Sequence, residues 1–289
     1  MSFGPLVSTD WLGQNLDAAD LKIIDGSWRM PGNGAAIESY AKHHIPHAVF
    51  FDIDAIADQN TDLPHMLPSP AQFEMAMGAF GIRETDRVVV YDEKGIFSAA
   101  RVWWTLRAMG HATVAVLDGG LPAWLRDGRP VTTEHTVIRP TTYRAAPVPA
   151  RCAASDDVRR ALADRSASIV DARPADRFDG TAPEPRAGLR SGHMPGARNL
   201  PFPQLLTEDG KYRSAAEIRH LFESSGVDLS QPIITSCGSG VTAAILSLAL
   251  EVIGKHDHAV YDGSWADWGD ERHDDATYPV ATNSGAKPD

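Results

Sequence analysis

The sequence predicts an α/β protein built from two tandem copies of one unit, each a mostly parallel sheet flanked by helices. Two observations carry this reading. Short β-branched runs alternate with stretches of helical periodicity along the whole chain, the pattern of strands joined through crossover helices. The landmarks of the first half also recur in the second half at matched spacing. Asp25 to Asp92 spans 92 − 25 = 67 positions, against 237 − 171 = 66 for Asp171 to Cys237. Asp92 to Asp118 spans 118 − 92 = 26, against 262 − 237 = 25 for Cys237 to Asp262. Agreement of order and spacing together points to a duplicated supersecondary unit.

In the first half, Val7 to Leu16 reads as a helix opening with Ser8 as cap, and Leu21-Lys22-Ile23-Ile24-Asp25 as a strand ending in an acid. His44-Ile45-Pro46 leads into a short strand, Ala48 to Phe51. A helix over Pro70 to Phe80 precedes a strand from Arg87 to Tyr91, which runs into Asp92. A helix from Ser98 to Met109 and a strand from Val114 to Leu117 lead to Asp118-Gly119-Gly120-Leu121-Pro122-Ala123-Trp124.

The second half follows the same order. Ser168-Ile169-Val170-Asp171 matches the first acid-terminated strand, and Gly192-His193-Met194-Pro195-Gly196-Ala197 matches His44-Ile45-Pro46. Ala215 to Phe222 matches the middle helix, and Asp262-Gly263-Ser264-Trp265 matches the Asp-Gly-Gly stretch. The expected domains are 5–135 and 154–281, joined by a linker at 136–153 where Pro140, Pro147 and Pro149 break any helix. Residues 282–289 are polar and read as a tail, and Cys152 falls in the linker as an exposed thiol.

A length of 289 residues suits two medium domains, and 43% hydrophobic with 22% charged residues is ordinary for a globular protein. A net charge of −11 argues against a nucleic-acid or anionic-membrane surface, so an anionic substrate would need its own pocket of arginines. The two cysteines, Cys152 and Cys237, imply no disulfide framework and suit a reducing, cytoplasmic setting. Met1 to Leu12 has neither the basic region nor the apolar core of a secretion signal, and no apolar run approaches a membrane span.

The most informative stretch is Cys237-Gly238-Ser239-Gly240-Val241-Thr242. Pro232 to Ser236 before it reads as a buried strand. Behind it, Val241, Ala244, Ile245, Leu248 and Val252 recur at helical spacing, with Gly254 placed to end the helix. Two glycines let such a strand-to-helix loop curl so that N–H groups converge at the positive end of the helix. That environment favours a thiolate, which is a nucleophile or an anionic sulfur carrier. The plainer alternative is a buried structural cysteine. The agreement of strand, glycines and helix start favours the reactive thiol. The first half has Asp92 at the matching position, so only the second unit carries this chemistry.

This hexapeptide resembles the active-site loop of the rhodanese superfamily, in the form found in tandem-domain 3-mercaptopyruvate sulfurtransferases. His193 to Ala197 and the closing Asp-Gly-Ser-Trp fit as well, and the resemblance runs from about Val7 to Val280. It implies two rhodanese-like domains and a sulfurtransferase that forms a persulfide on Cys237, held by the loop of Gly238, Gly240, Val241 and Thr242. It further implies that Arg177 and Arg186, in Arg-Phe and Glu-Pro-Arg contexts, bind the donor's carboxylate and carbonyl. Ser239, His65 and Asp54 match a family triad that handles a proton, the last two reaching across from the first domain. His65 would be the shuttle, having a side chain that titrates near neutral pH. No metal or organic cofactor is implied. The partners are a small-molecule sulfur donor and a cyanide or thiol acceptor, a thioredoxin-like protein among them, with neither nucleic acid nor membrane. The cluster His43, His44 and His47 could suggest a metal, yet His44 and His193 share a repeat position and so read as structural. The family usually has glycine where His47 stands.

Three other readings compete. Thiosulfate could be the donor, although thiosulfate-preferring relatives usually carry cations where this chain has Gly238 and Ser239. A phosphatase of the Cys-x5-Arg pattern would need arginine at 237 + 6 = 243, which is Ala243. A sulfur-carrying module would load sulfur without turning over.

Overall fold

The computed structural model describes residues 3–283. The chain divides into two units, one of Met1–Asn60, Leu67–Pro149 and Leu206–Tyr212, the other of Thr61–Met66, Ala150–Leu205 and Arg213–Asp289.

The first unit runs β1 (Leu6–Val7), α1 (Thr9–Asn15), β2 (Leu21–Asp25), α2 (Ala36–Lys42), β3 (Ala48–Phe50), α3 (Pro70–Ala79), β4 (Arg87–Tyr91), α4 (Ala99–Ala108), β5 (Val114–Leu117) and α5 (Gly120–Arg126). The second runs β6 (Cys152–Ala153), α6 (Ser155–Asp164), β7 (Ser168–Asp171), α7 (Ala175–Phe178), β8 (Arg198–Asn199), α8 (Ala215–Ser224), β9 (Ile233–Ser236), α9 (Ala243–Val252), β10 (His258–Tyr261) and α10 (Ser264–Trp268). Each unit forms a five-stranded sheet, β1-β5-β4-β2-β3 and β6-β10-β9-β7-β8, so the two topologies are the same. Every pairing between these strands is parallel. Central strands β4 and β9 are nearly continuous buried runs, as a sheet covered on both faces requires. In such a sheet, ligands meet the carboxyl ends of the strands, where Asp92 and Cys237 stand.

Local chemistry explains where helices begin. Ser69 and Ser214 form capping boxes with Gln72 and Glu217 at matching positions of the two units. Ser8 accepts the Trp11 N–H at 3.1 Å, as expected, but the helix starts at Thr9 because Leu6–Val7 is taken up as an edge strand beside β5. His44 and His193 are structural. The His44 Nδ1 contacts the Tyr40 carbonyl at 2.8 Å with the rings stacked, and His193 does the same with Phe178. His47 takes φ 67°, where Gly196 in the second unit takes 86°, so the first unit keeps a glycine-type turn without glycine.

The stretch expected to link the domains behaves differently. Residues 136–149 lie against the first unit, with the N–H groups of Thr141, Ala146 and Val148 donating to the carbonyls of Gly78, Met109 and Ala108. Tyr143 is only 3% exposed. Prolines forbid a helix there, but the N–H groups between them still pair. Cys152 is therefore not a linker residue. It sits half-buried in β6, in register with Val260, and the second unit takes up the chain from Ala150, before the expected start at 154. Of the expected tail, Asn283 is tied to Asp179 by backbone and side chain, at 3.0 and 2.7 Å, while residues 284–289 lie outside the described residues. Among the described residues, no helix is long and apolar enough to cross a membrane.

Candidate active site

Cys237 follows the last residue of β9 and is 2% exposed. Its backbone is pinned from the next crossover. The Cys237 N–H donates to Ser264 Oγ at 3.2 Å, and Ser264 Oγ donates to the Tyr261 carbonyl at 2.8 Å. The N–H groups of Trp265 and Ala266 donate to the carbonyls of Cys237 and Gly238, both at 2.9 Å. The Asp-Gly-Ser-Trp motif is thus the clamp of the cysteine loop. Ser264 holds φ 49°, a left-handed conformation costly for serine, and its counterpart Gly120 holds 53°. The hydroxyl's two hydrogen bonds offset that cost.

The two loop glycines serve different ends. Gly240 takes φ 80° and turns the chain, as expected. Gly238 is not left-handed. A Cβ there would stand 3.1 Å from Arg177 Nη2, so this glycine makes room for a guanidinium. Ser239 is buried, and Val241 and Thr242 complete the loop, Thr242 being the N-cap residue of α9.

The first unit shows what such a loop holds. Asp92 stands where Cys237 does, and its Oδ1 accepts the N–H groups of Lys94 and Gly95 at 2.8 and 2.9 Å. Its Oδ2 accepts those of Phe97 and Ala99, both at 2.8 Å. Burial raises this carboxyl above the usual range, with the four N–H groups pulling against it. With two donors on each oxygen, the contacts fit the ionised form. The first-unit loop is therefore an anion cradle, at the position the cysteine loop holds in the second unit. The second-unit version is shorter, residues 238–242 before α9 against 93–98 before α4.

Beside the cysteine loop runs a chain of alternating charges. Arg177, at 22% side-chain exposure, donates to Glu184 Oε1 from Nε at 3.2 Å and to Oε2 from Nη2. Glu184 also accepts Arg173 Nη1 at 2.7 Å. Arg173 grips Asp171 with Nε and Nη2 at 2.9 and 2.7 Å, donates to the Gly192 carbonyl, and lies over the Trp265 ring at 4.2 Å. The side chains of Arg173 and Glu184 are each 1% exposed. Sequence reading took Glu184 only as the context of Arg186 and missed Arg173, for which the available signal was an arginine two positions past a strand-ending acid. In the first unit that position is Ser27, whose N–H donates to Asp25 Oδ1 at 2.9 Å. There, burial outweighs the hydrogen bonds and raises the Asp25 carboxyl to about 6.

His65 belongs to the segment Thr61–Met66, which groups with the second unit. It is buried, with φ 63°, and its Nε2 lies 3.4 Å from Arg186 Nη2. Arginine can only donate, so this contact fits a neutral imidazole carrying its proton on Nδ1. Arg186 also lines a cavity of about 310 Å3 with Leu63, Pro64, Ala266 and Arg272. The structure therefore assembles Cys237, Ser239, Arg177, Arg186 and His65 in one unit, where sequence reading had put His65 in the first domain. Asp54 belongs to the first unit, where its Oδ2 accepts the Trp28 indole N–H at 2.9 Å. Trp28 was not singled out from the sequence. Among the described residues, no three His, Cys, Asp or Glu side chains are grouped as metal ligands.

Comparison with known proteins agrees with this architecture. The model of the rhodanese-like domain matches residues 8–127 and 154–271. The human 3-mercaptopyruvate sulfurtransferase is 42% identical over 270 residues, covering 91% of each chain. A thiosulfate sulfurtransferase from Cricetulus griseus is 43% identical over 270 residues, covering 91% of each chain. The crystal structure of SseA, a 3-mercaptopyruvate sulfurtransferase of Escherichia coli, superposes with a TM-score of 0.82 at 41% identity, covering 91% of this chain and 99% of that one.

Proposed function

Because the chain belongs to the rhodanese family of sulfurtransferases, we propose that it moves sulfur from 3-mercaptopyruvate to cyanide or a thiol through a persulfide on Cys237. The observation that carries this reading is the placement of Cys237 directly after β9, at the position where the first unit's loop cradles Asp92, with the Arg177 guanidinium against Gly238. The Cys237 thiolate attacks the donor sulfur, and its electron pair forms the S–S bond. The C–S bond breaks, its pair leaves with the enolate of pyruvate, and a proton restores the methyl group. Cyanide then attacks the outer sulfur, the S–S bond breaks, and thiocyanate leaves the thiolate behind.

In this reading Arg177 and Arg186 hold the donor carboxylate and carbonyl, guanidinium forks being suited to both. His65, Ser239 and Asp54 handle the enolate's proton, and the loop of Gly238, Gly240, Val241 and Thr242 carries the persulfide. The setting is a reducing, cytoplasmic one that keeps Cys152 and Cys237 out of disulfides, and a thioredoxin-like protein serves as thiol acceptor.

The similarity to a thiosulfate sulfurtransferase supports thiosulfate as a second donor by the same route. The two donors are separated by measuring kcat/KM for each with cyanide in one assay. Mercaptopyruvate should be favoured by at least about tenfold, the worth of one charge-assisted contact. A preference for thiosulfate would overturn the donor assignment, and loading without turnover would leave a carrier instead.

A further inference from the structure

We propose that Glu184 and Arg173 are positioning residues that fix Arg177 at the cysteine loop and so set affinity for the donor; the inference rests on the reading of Arg177 as a donor clamp. Arginine side chains carry much rotamer freedom, and a partly exposed one holds a small anion well only if something else fixes it. Arg177 is held at both Nε and Nη2 by Glu184, through a carboxylate that solvent barely reaches.

Such a carboxylate needs compensation of its own. Arg173 supplies it from the other side at 2.7 Å and is itself fixed by Asp171, the Gly192 carbonyl and the Trp265 ring. The series Asp171, Arg173, Glu184, Arg177 thus alternates in charge from the sheet outward to the loop. Each buried ion has an opposite partner, as buried charges require.

The duplicated unit is the control. It has the strand-ending acid, Asp25, but Ser27 where Arg173 would stand, and its loop holds Asp92 in place of a cysteine. The unit without a reactive thiol has no arginine at that position, so the buried arginine is not a requirement of the fold. Glu184 also cancels much of the charge of Arg177. The clamp then suits a monoanionic carboxylate, and a dianion would gain more from an uncancelled guanidinium.

The test is a double-mutant cycle on the full chain, read with mercaptopyruvate and cyanide. Glu184→Gln keeps the shape and removes the charge. Its KM for mercaptopyruvate should rise about tenfold with kcat changed less than about threefold, because the reacting sulfur lies at the donor's other end. The ratio of kcat/KM for thiosulfate to that for mercaptopyruvate should rise as well. In an Arg177→Ala background, Glu184→Gln should add less than about twofold, since it acts through Arg177. An unchanged KM in Glu184→Gln, or the same tenfold effect with and without Arg177, would overturn the positioning role. Wild-type kinetics in Arg177→Ala alone would instead refute the clamp itself. Should Glu184→Gln fail to fold, Arg173→Lys keeps the charge and loses the fork. The same cycle then applies, with the same expected rise and the same refuting results.

Discussion

Asp25→Asn removes a buried carboxyl that lacks the arginine its counterpart enjoys. Asp171 is gripped by Arg173, whereas Asp25 is 2% exposed and meets neutral groups, the Ser27 hydroxyl and N–H and the Tyr91 hydroxyl. Burial raises its carboxyl from 3.8 to about 6. A group whose value is raised on folding contributes stability at low pH and loses it as pH rises through the folded value. Wild-type stability should therefore fall between about pH 4 and pH 6. Two pH units at about 1.4 kcal/mol each set the cost near 3 kcal/mol at neutral pH. Asparagine keeps an oxygen for the Ser27 N–H and carries no charge, so at pH 8 the variant should be more stable by about 1–3 kcal/mol. Calorimetry at pH 4 and pH 8 reads this as a rise of several degrees in one transition at pH 8 and almost none at pH 4. An equal or lower melting temperature at pH 8 would refute the reasoning.

Three further outcomes are expected. Arg186→Ala should lower kcat/KM for mercaptopyruvate about tenfold to a hundredfold, and near-normal kinetics would remove Arg186 from the site. Gly238→Arg/Ser239→Lys brings two cations beside a loop already faced by Arg177, so kcat/KM for thiosulfate relative to mercaptopyruvate should rise; an unchanged ratio in a folded variant would place donor choice elsewhere. Ser264→Gly relieves a left-handed serine but frees the Cys237 N–H, so the melting temperature should barely move while kcat/KM drops about tenfold; unchanged turnover would show that the clamp does not matter to the loop.

What was legible in the sequence was local or periodic. The duplication appeared as matched spacing, and the cysteine loop appeared because a strand, glycines and a helix start are adjacent in the chain. The Ser8 cap acts within one helical turn, and Gly240 needed only its own φ. What was missed depends on residues distant in sequence or on packing. Glu184 reaches Arg173 over eleven positions, and Trp28 reaches Asp54 over twenty-six. Gly238 was read as a turn glycine, yet its constraint is the space that Arg177 occupies. Thr136 to Ala153 looked like a linker because proline marks irregular chain, and proline says nothing about what that chain packs against.

The central claim is that Cys237 alone carries the sulfur, and intact-mass spectrometry tests it most directly. After incubation with mercaptopyruvate and no acceptor, wild type and Cys152→Ser should each gain the mass of one sulfur atom, which cyanide then removes. Cys237→Ser should gain none and should not turn over. Loss of the adduct in Cys152→Ser, or its persistence in Cys237→Ser, would contradict the account.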